Sequence, residues 1–225
     1  MPPLAETVFL FDVDNTLLDN DRIEADISQH IEEECGASGR DRFWAIFEAL
    51  RAELGFADYL GAVQRYRLEA LHDPRVLGLG SFLLEYPVAS RLYPRALDTL
   101  MHVGQWGPTV ILSDGDAVLQ PRKVRRTGIW DAVQARVLIY VHKERMLEDV
   151  KALYAAQRYV MVDDKPGILS AMKKSWGAQL TTIFPRQGHY ALRSKDAPVS
   201  PPPDRTIEHI ADLLAFNYSD FSPAG

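Results

Sequence analysis

The stretch TVFLFDVDNTLLD, Thr7–Asp19, decides the fold. Thr7–Phe11 is an unbroken apolar and β-branched run, which is how a strand buried on both faces reads. Two aspartates, Asp12 and Asp14, follow directly, and then Thr16. Carboxylates at the mouth of a buried strand need a physical reason, because burying charge is expensive unless a partner is present.

Four more short apolar runs follow: TVIL (Thr109–Leu112), VLIYV (Val137–Val141), YVMV (Tyr159–Val162) and LTTIF (Leu180–Phe184). Helical patterns separate them. PRKVRRTGIW starts at Pro121 and stops near Gly128, KERMLEDVKALYAAQ carries apolar residues at helical spacing, and GILSAMKKSWG ends at Gly177. Strands alternating with helices predict an α/β fold with a parallel sheet.

The first gap is far longer than the others. Leu92–Val103 predicts a crossover helix, which leaves residues 17–89 as an insertion. Three stripes within it, DISQHIEEECG, DRFWAIFEALRAEL and ADYLGAVQRYRLEAL, predict helices. The expected organisation is a core of residues 1–16 and 90–225 with a helical cap of residues 17–89. A Pro-rich linker, Ser194–Asp204, leads to an amphipathic helix in RTIEHIADLLAFN, and YSDFSPAG is expected to fray.

A chain of 225 residues with 47% hydrophobic content supports one sizeable core, or a core with a smaller companion. The 25 Lys and Arg against 31 Asp and Glu give a net charge of −6, which argues against a general nucleic-acid or membrane-surface binder. The lone Cys35 excludes an intrachain disulfide. MPPLAE lacks a basic leader and no window approaches a membrane span, so a soluble cytoplasmic protein is expected. The oligomeric state stays open.

In a parallel sheet, all C-terminal strand ends share one edge, where ligands bind. Asp12 and Asp14, then Ser113 and Asp114, then Lys143, then Asp163 and Asp164 each follow a predicted strand. Several carboxylates brought together repel one another unless a cation lies among them, and hard oxygen ligands suit Mg²⁺. A lysine and a serine hydroxyl beside them suit a phosphate. The set points to phosphoryl transfer on a small phosphorylated substrate, with an aspartate as nucleophile.

DVDNT after an apolar strand, a strand-end serine, a downstream lysine and an acidic pair after YVMV resemble the haloacid dehalogenase superfamily, over about Val8–Pro185. The resemblance implies a Rossmann-like core with the first strand central and a helical cap of the first type. It implies that Asp12 is the nucleophile and a magnesium ligand. Asp14 becomes the acid/base residue, and a second ligand through its carbonyl. Ser113 and Lys143 would hold the phosphate. Asp164 would ligate the metal, supported by Asp163. The acid at position 14 favours a phosphatase over a dehalogenase, which does not need one there. A carbon–phosphorus hydrolase would need a cap lysine, and residues 17–89 contain none. A low-turnover binding module is the remaining rival.

Some residues depart from the pattern. Asp114 stands where the family often has Asn, and HKERM lacks the usual flanking Gly and Pro. Lys123, among other bases in PRKVRR, reads as part of a solvated face. Lys165 either meets phosphate or points outward. Phe43, Trp44 and Phe47 read as cap core that could reach the substrate mouth, and GLGS (Gly78–Ser81) reads as a loop. The histidines show no zinc spacing. Taken alone, a DxD after a strand could be a helix cap, and Ser113 a turn residue.

Overall fold

The computed structural model describes residues 5–193 and 198–221. Six parallel strands form one sheet: β1 (Ala5–Phe11), β2 (Thr109–Asp114), β3 (Val137–Tyr140), β4 (Ala156–Val162), β5 (Leu180–Pro185) and β6 (Arg205–Ile207). Their order across the sheet is β3-β2-β1-β4-β5-β6, so β1 is central and paired on both edges. The α/β class is as the sequence predicts. Chain order runs outward through β2 and β3, then restarts at β4 on the other side of β1. The topological switch point therefore lies between β1 and β4.

Alternate residues of β1 serve opposite faces. Phe9 and Phe11 pack with Leu100, Val103, Val124 and Ile129, which belong to α4 (Ala96–Val103), α5 (Leu119–Arg126) and α6 (Ile129–Ala132). Val8 and Leu10 pack with Val150, Leu169, Met172 and Trp176 of α7 (Leu147–Leu153) and α8 (Pro166–Trp176). Covering both faces explains why the strands read as continuous rather than alternating apolar runs.

Between β1 and α4 run three further α-helices: α1 (Asn20–Leu54), α2 (Tyr59–Glu69) and α3 (Arg75–Glu85). The first two expected stripes merge in α1, broken by Gly36 at φ 77°, ψ 171°. Asp19 Oδ1 accepts from the Arg22 N–H, and Asp58 caps α2 through the Gly61 N–H. The segment buries Ile27, Ile31, Phe43, Phe47, Val63, Leu79 and Leu83 in an apolar interior continuous with that of Phe9 and Phe11. Its ends are zipped together. Leu18 bridges Leu92, the Asp19 N–H donates to the Arg91 carbonyl at 2.8 Å, and the Tyr93 N–H donates to the Leu17 carbonyl at 2.9 Å.

Three expectations need correction. Gly78–Ser81 is helical, within α3, because Val76, Leu79 and Leu83 bury one face and override the low helix propensity of glycine. RTIEHIADLLAFN forms β6 and then a 3₁₀ segment, Ile210–Ala215, in place of an α-helix. Asp204 fixes that outcome: its carboxylate takes Lys173 Nζ at 2.8 Å and both the N–H and the hydroxyl of Thr182, which clamps the chain onto β5. The expected fraying also fails for part of the tail. Phe221 is buried edge-on against Phe9 at 5.0 Å, and the tail beyond it lies outside the described residues, as does part of the Pro-rich linker. Among the described residues no helix is long and apolar enough to cross a membrane.

The short helix α9 (Gly188–Arg193) follows β5 and reaches the start of α1. Gly188 has φ 68°, and a Cβ there would lie 2.6 Å from Asn15 Cγ. Asn15 Oδ1 in turn accepts the Asn20 and Asp21 N–H groups that open α1. Gly188→Ala should therefore destabilise the protein by roughly 1–3 kcal/mol, read from urea-denaturation midpoints.

Candidate active site

The sheet register sets the site. Phe11 pairs with Val162 on β4, so the next residues along, Asp12 and Asp163, lie level at the switch point. The Asp12 N–H extends the ladder by donating to the Val162 carbonyl at 3.0 Å. Asp12, Asp163 and Asp164 are all buried, and their carboxylate oxygens lie within 4.8 Å of one another.

Lys143, with no exposed surface, balances part of this charge. Its ammonium donates to Asp12 Oδ1 and lies 2.7 Å from Asp163 Oδ2. Burial would lower the Lys143 pKa, but the carboxylates of Asp12, Asp163 and Asp114 outweigh burial and the net shift is upward. Ser113, near the end of β2, donates from its hydroxyl to Asp12 Oδ1 at 3.2 Å. The strand ends thus bring together Asp12, Ser113, Lys143, Asp163 and Asp164, as the sequence predicts.

The negative charge is not fully answered. Asp12 Oδ2 and both oxygens of Asp164 are buried without a hydrogen-bond partner. Burial, then Asp163 and Asp12, push the Asp164 carboxyl well above the ordinary range. Asp163 is also raised by burial, against the pull of Lys143. Unpartnered buried carboxylate oxygens converging on one point, all of them hard ligands, fit a Mg²⁺-like cation.

Asp14 takes a different direction. Its carboxylate is outside that cluster and lines the adjoining cleft, a cavity of about 690 Å³. There Asp14 Oδ1 accepts Lys123 Nζ at 2.9 Å, and the same ammonium donates to Asn20 Oδ1 at 3.1 Å. This overturns the reading of Lys123 as a solvated base. Its side chain is 14% exposed, because Leu119, Gln120 and Val124 turn that face of α5 inward. The helical spacing from Gln120 to Lys123 carried the signal, masked by the arginines around it. Arg122 and Arg126 also have fixed work: both donate to the Leu84 carbonyl near the end of α3.

The insertion supplies the opposite wall of the cleft with Asn20, Asp21, Glu24, Glu48, Arg51, Phe56 and Tyr59. Phe43, Trp44 and Phe47 do not line it. They pack edge to face within the insertion, with the Trp44 indole donating to Ser28 Oγ at 3.0 Å. Lys165 lines the cleft beside the carboxylates, with its ammonium 5.6 Å from the centre of the Tyr190 ring, so it is no outward lysine. Sequence reasoning also missed Thr16, whose hydroxyl accepts the Asp164 N–H, and Gln120, whose amide donates to Ser113 Oγ.

Fold and site define an α/β protein with a carboxylate cluster at the switch point of a parallel sheet. The sequence matches the family of haloacid dehalogenase-like hydrolases over residues 7–175, and the chain belongs to that family. The crystal structure of a haloacid dehalogenase-like hydrolase from Burkholderia xenovorans LB400 is 59% identical, with a TM-score of 0.89 over 96% of this chain and 98% of that one. More distant structures share the fold. L-2-haloacid dehalogenase from Xanthobacter autotrophicus is 19% identical, with a TM-score of 0.59 over 94% and 98% of the two chains. The HAD-hydrolase YfnB from Bacillus subtilis, bound to magnesium, is 16% identical, with a TM-score of 0.61 over the same shares. No protein of curated function matches the sequence.

Asp114, the departure in the second motif, accepts the Lys143 N–H at 2.8 Å and so anchors the segment that carries the lysine. Burial pushes its carboxyl up to about 6, against the pull of Lys143. The unfolded value is near 3.8. The folded state therefore binds more protons between these values, and the stability from this group falls as pH rises through that window. Asp114→Asn keeps an oxygen for the Lys143 N–H and removes the titration. The variant should be more stable than wild type at pH 7 by on the order of 1–3 kcal/mol, with the difference gone below about pH 4. Thermal unfolding across pH in the presence of EDTA checks this.

Proposed function

We propose that this chain is a Mg²⁺-dependent phosphatase that hydrolyses a small phosphate monoester through a phosphorylated Asp12. One observation carries the reading: the unpartnered oxygens of Asp12 and Asp164, which a cation would satisfy and which displacement of halide from carbon would not need. The magnesium-bound relative from Bacillus subtilis accords with it.

Asp12, Asp164 and the carbonyl of Asp14 would hold the ion, with Asp163 in support. When bound, the ion offsets the charge of the phosphoryl oxygens and of the nucleophile. Lys143 and Ser113 meet the remaining phosphate oxygens. Asp12 attacks phosphorus through a carboxylate oxygen, and a P–O bond to Asp12 forms as the ester P–O bond breaks. The electron pair stays on the ester oxygen, which takes a proton from Asp14 and leaves as an alcohol. Asp14, now ionised, removes a proton from water as that water attacks phosphorus. The bond to Asp12 breaks, releasing phosphate and restoring the carboxylate. The insertion, read as a cap over residues 17–89, closes on the cleft and excludes bulk water from the first displacement.

The rival is halide displacement from a 2-haloacid by Asp12, supported by the dehalogenase folds among the neighbours. A panel of phosphate esters, with 2-chloropropionate in parallel, separates the two. Wild type should release phosphate with Mg²⁺ and lose at least about 100-fold activity in EDTA. Asp12→Asn should lose about 10⁴-fold or more. Halide release unaffected by EDTA, with no phosphate from any ester, would establish the rival.

A further inference from the structure

Among the cleft cations that the steps above leave unused, Lys123 has the most specific partners. It lies on α5, in the core, yet its ammonium joins two groups that belong to different parts of the protein. One is the carboxylate of Asp14, at 2.9 Å. The other is the side-chain oxygen of Asn20, the first residue of α1, at 3.1 Å. From Asn20 the contacts continue into the insertion. The Asn20 amide donates to Glu24 Oε1 at 3.1 Å, and the Tyr59 hydroxyl donates to the same oxygen at 2.9 Å. Asp14, Asn20, Glu24, Tyr59 and Lys123 all line the cleft.

We propose that Lys123 is the positioning residue for Asp14. It holds that carboxylate on the leaving-group side of the cleft and ties its placement to the first turn of the insertion. The inference rests on the phosphatase reading and deepens it. Three facts support it. Asp14 sits just past the end of β1, where nothing in the strand ladder fixes its side chain. Its carboxylate stands apart from the Asp12, Asp163 and Asp164 cluster, so no common ion would orient it there. And α5 is a firm base for the lysine, because Val124 is fully buried on one side while Arg122 and Arg126 grip the end of α3. A misplaced proton donor loses most of its effect, since proton transfer needs hydrogen-bond reach to the departing oxygen.

A structural ion pair would look the same in a static view, so the test turns on the leaving group. Alkoxide departs poorly without a proton, whereas p-nitrophenolate departs without one. Lys123→Met would be compared with wild type on p-nitrophenyl phosphate and on the alkyl phosphate that wild type cleaves fastest. Leaving-group release is read in the first turnover, so that the later hydrolysis common to both esters does not enter. Lys123→Met should lose about 10- to 100-fold on the alkyl ester, with the loss on the nitrophenyl ester at least ten-fold smaller. KM and the affinity for inorganic phosphate, measured by calorimetry, should stay within about three-fold, because Lys123 is placed on the leaving-group side. Adding Lys123→Met to Asp14→Asn should cause little further loss, and Lys123→Arg should recover part of the rate. If Lys123→Met does not fold, Lys123→Gln gives the same readout. Equal losses on both esters, or full additivity with Asp14→Asn, would overturn the proposal while leaving the phosphatase reading intact. A wild type that cleaves no ester would overturn both.

Discussion

Three carboxylates and one ammonium buried at the end of a central strand are the constraint on which the rest of this structure depends. Asp12, Asp163 and Asp164 cannot be removed from water together without compensation, and Lys143 supplies only part of it. Each member must be held where its neighbours need it. Adjacent parallel strands do this well, because the ladder fixes Asp12 against Asp163 to within the tolerance of backbone hydrogen bonds. Even Asp114, which looks like a surplus charge, serves the arrangement by gripping the main chain at Lys143. The apolar strand is thus the mount for the charged site, and its burial on both faces keeps that mount rigid.

Around the charged centre, the protein divides its labour between core and insertion. The core brings Asp12, Ser113, Lys143, Asp163 and Asp164. The insertion brings Glu24, Glu48, Arg51, Phe56 and Tyr59 to the far wall of the cleft. Core and insertion share one continuous apolar interior, and specific polar contacts add to it: Arg122 and Arg126 on the end of α3, His189 on Asp21 at 2.6 Å, and Lys123 on Asn20.

The core of this picture was legible in the sequence because its signals are local. A strand, then a charge, repeated along the chain, tells which residues arrive at one sheet edge, and Asp12, Ser113, Lys143 and Asp164 were all accessible that way. The residues that escaped notice act across the fold. Lys123 looked solvated because its neighbours in sequence are arginines, and only the packing of α5 reveals its inward face. The C-terminal segment carried a helical stripe, Ile207, Ile210 and Leu213, yet an open strand edge and the Asp204 clamp drew its first residues into the sheet. Gly78 and Gly80 suggested a loop, but the apolar face beside them outweighed propensity. In each case a long-range contact overrode a short-range preference.

The zipped entry and exit of the insertion, Leu18 against Leu92, bears on how the chain reaches its native state. β1 pairs only with strands distant in sequence: β2, across residues 12–108, and β4, farther still. Closing so large a loop is slow, although the entropic cost grows only logarithmically, by about 0.6 kcal/mol for each doubling of length. If the helices of the insertion form first and their two ends meet, the effective loop between β1 and β2 shrinks to residues 12–16 and 94–108. The insertion would then act as a folding scaffold for the central strand pair, and Asp12 would reach its place only after the helices beside it had formed.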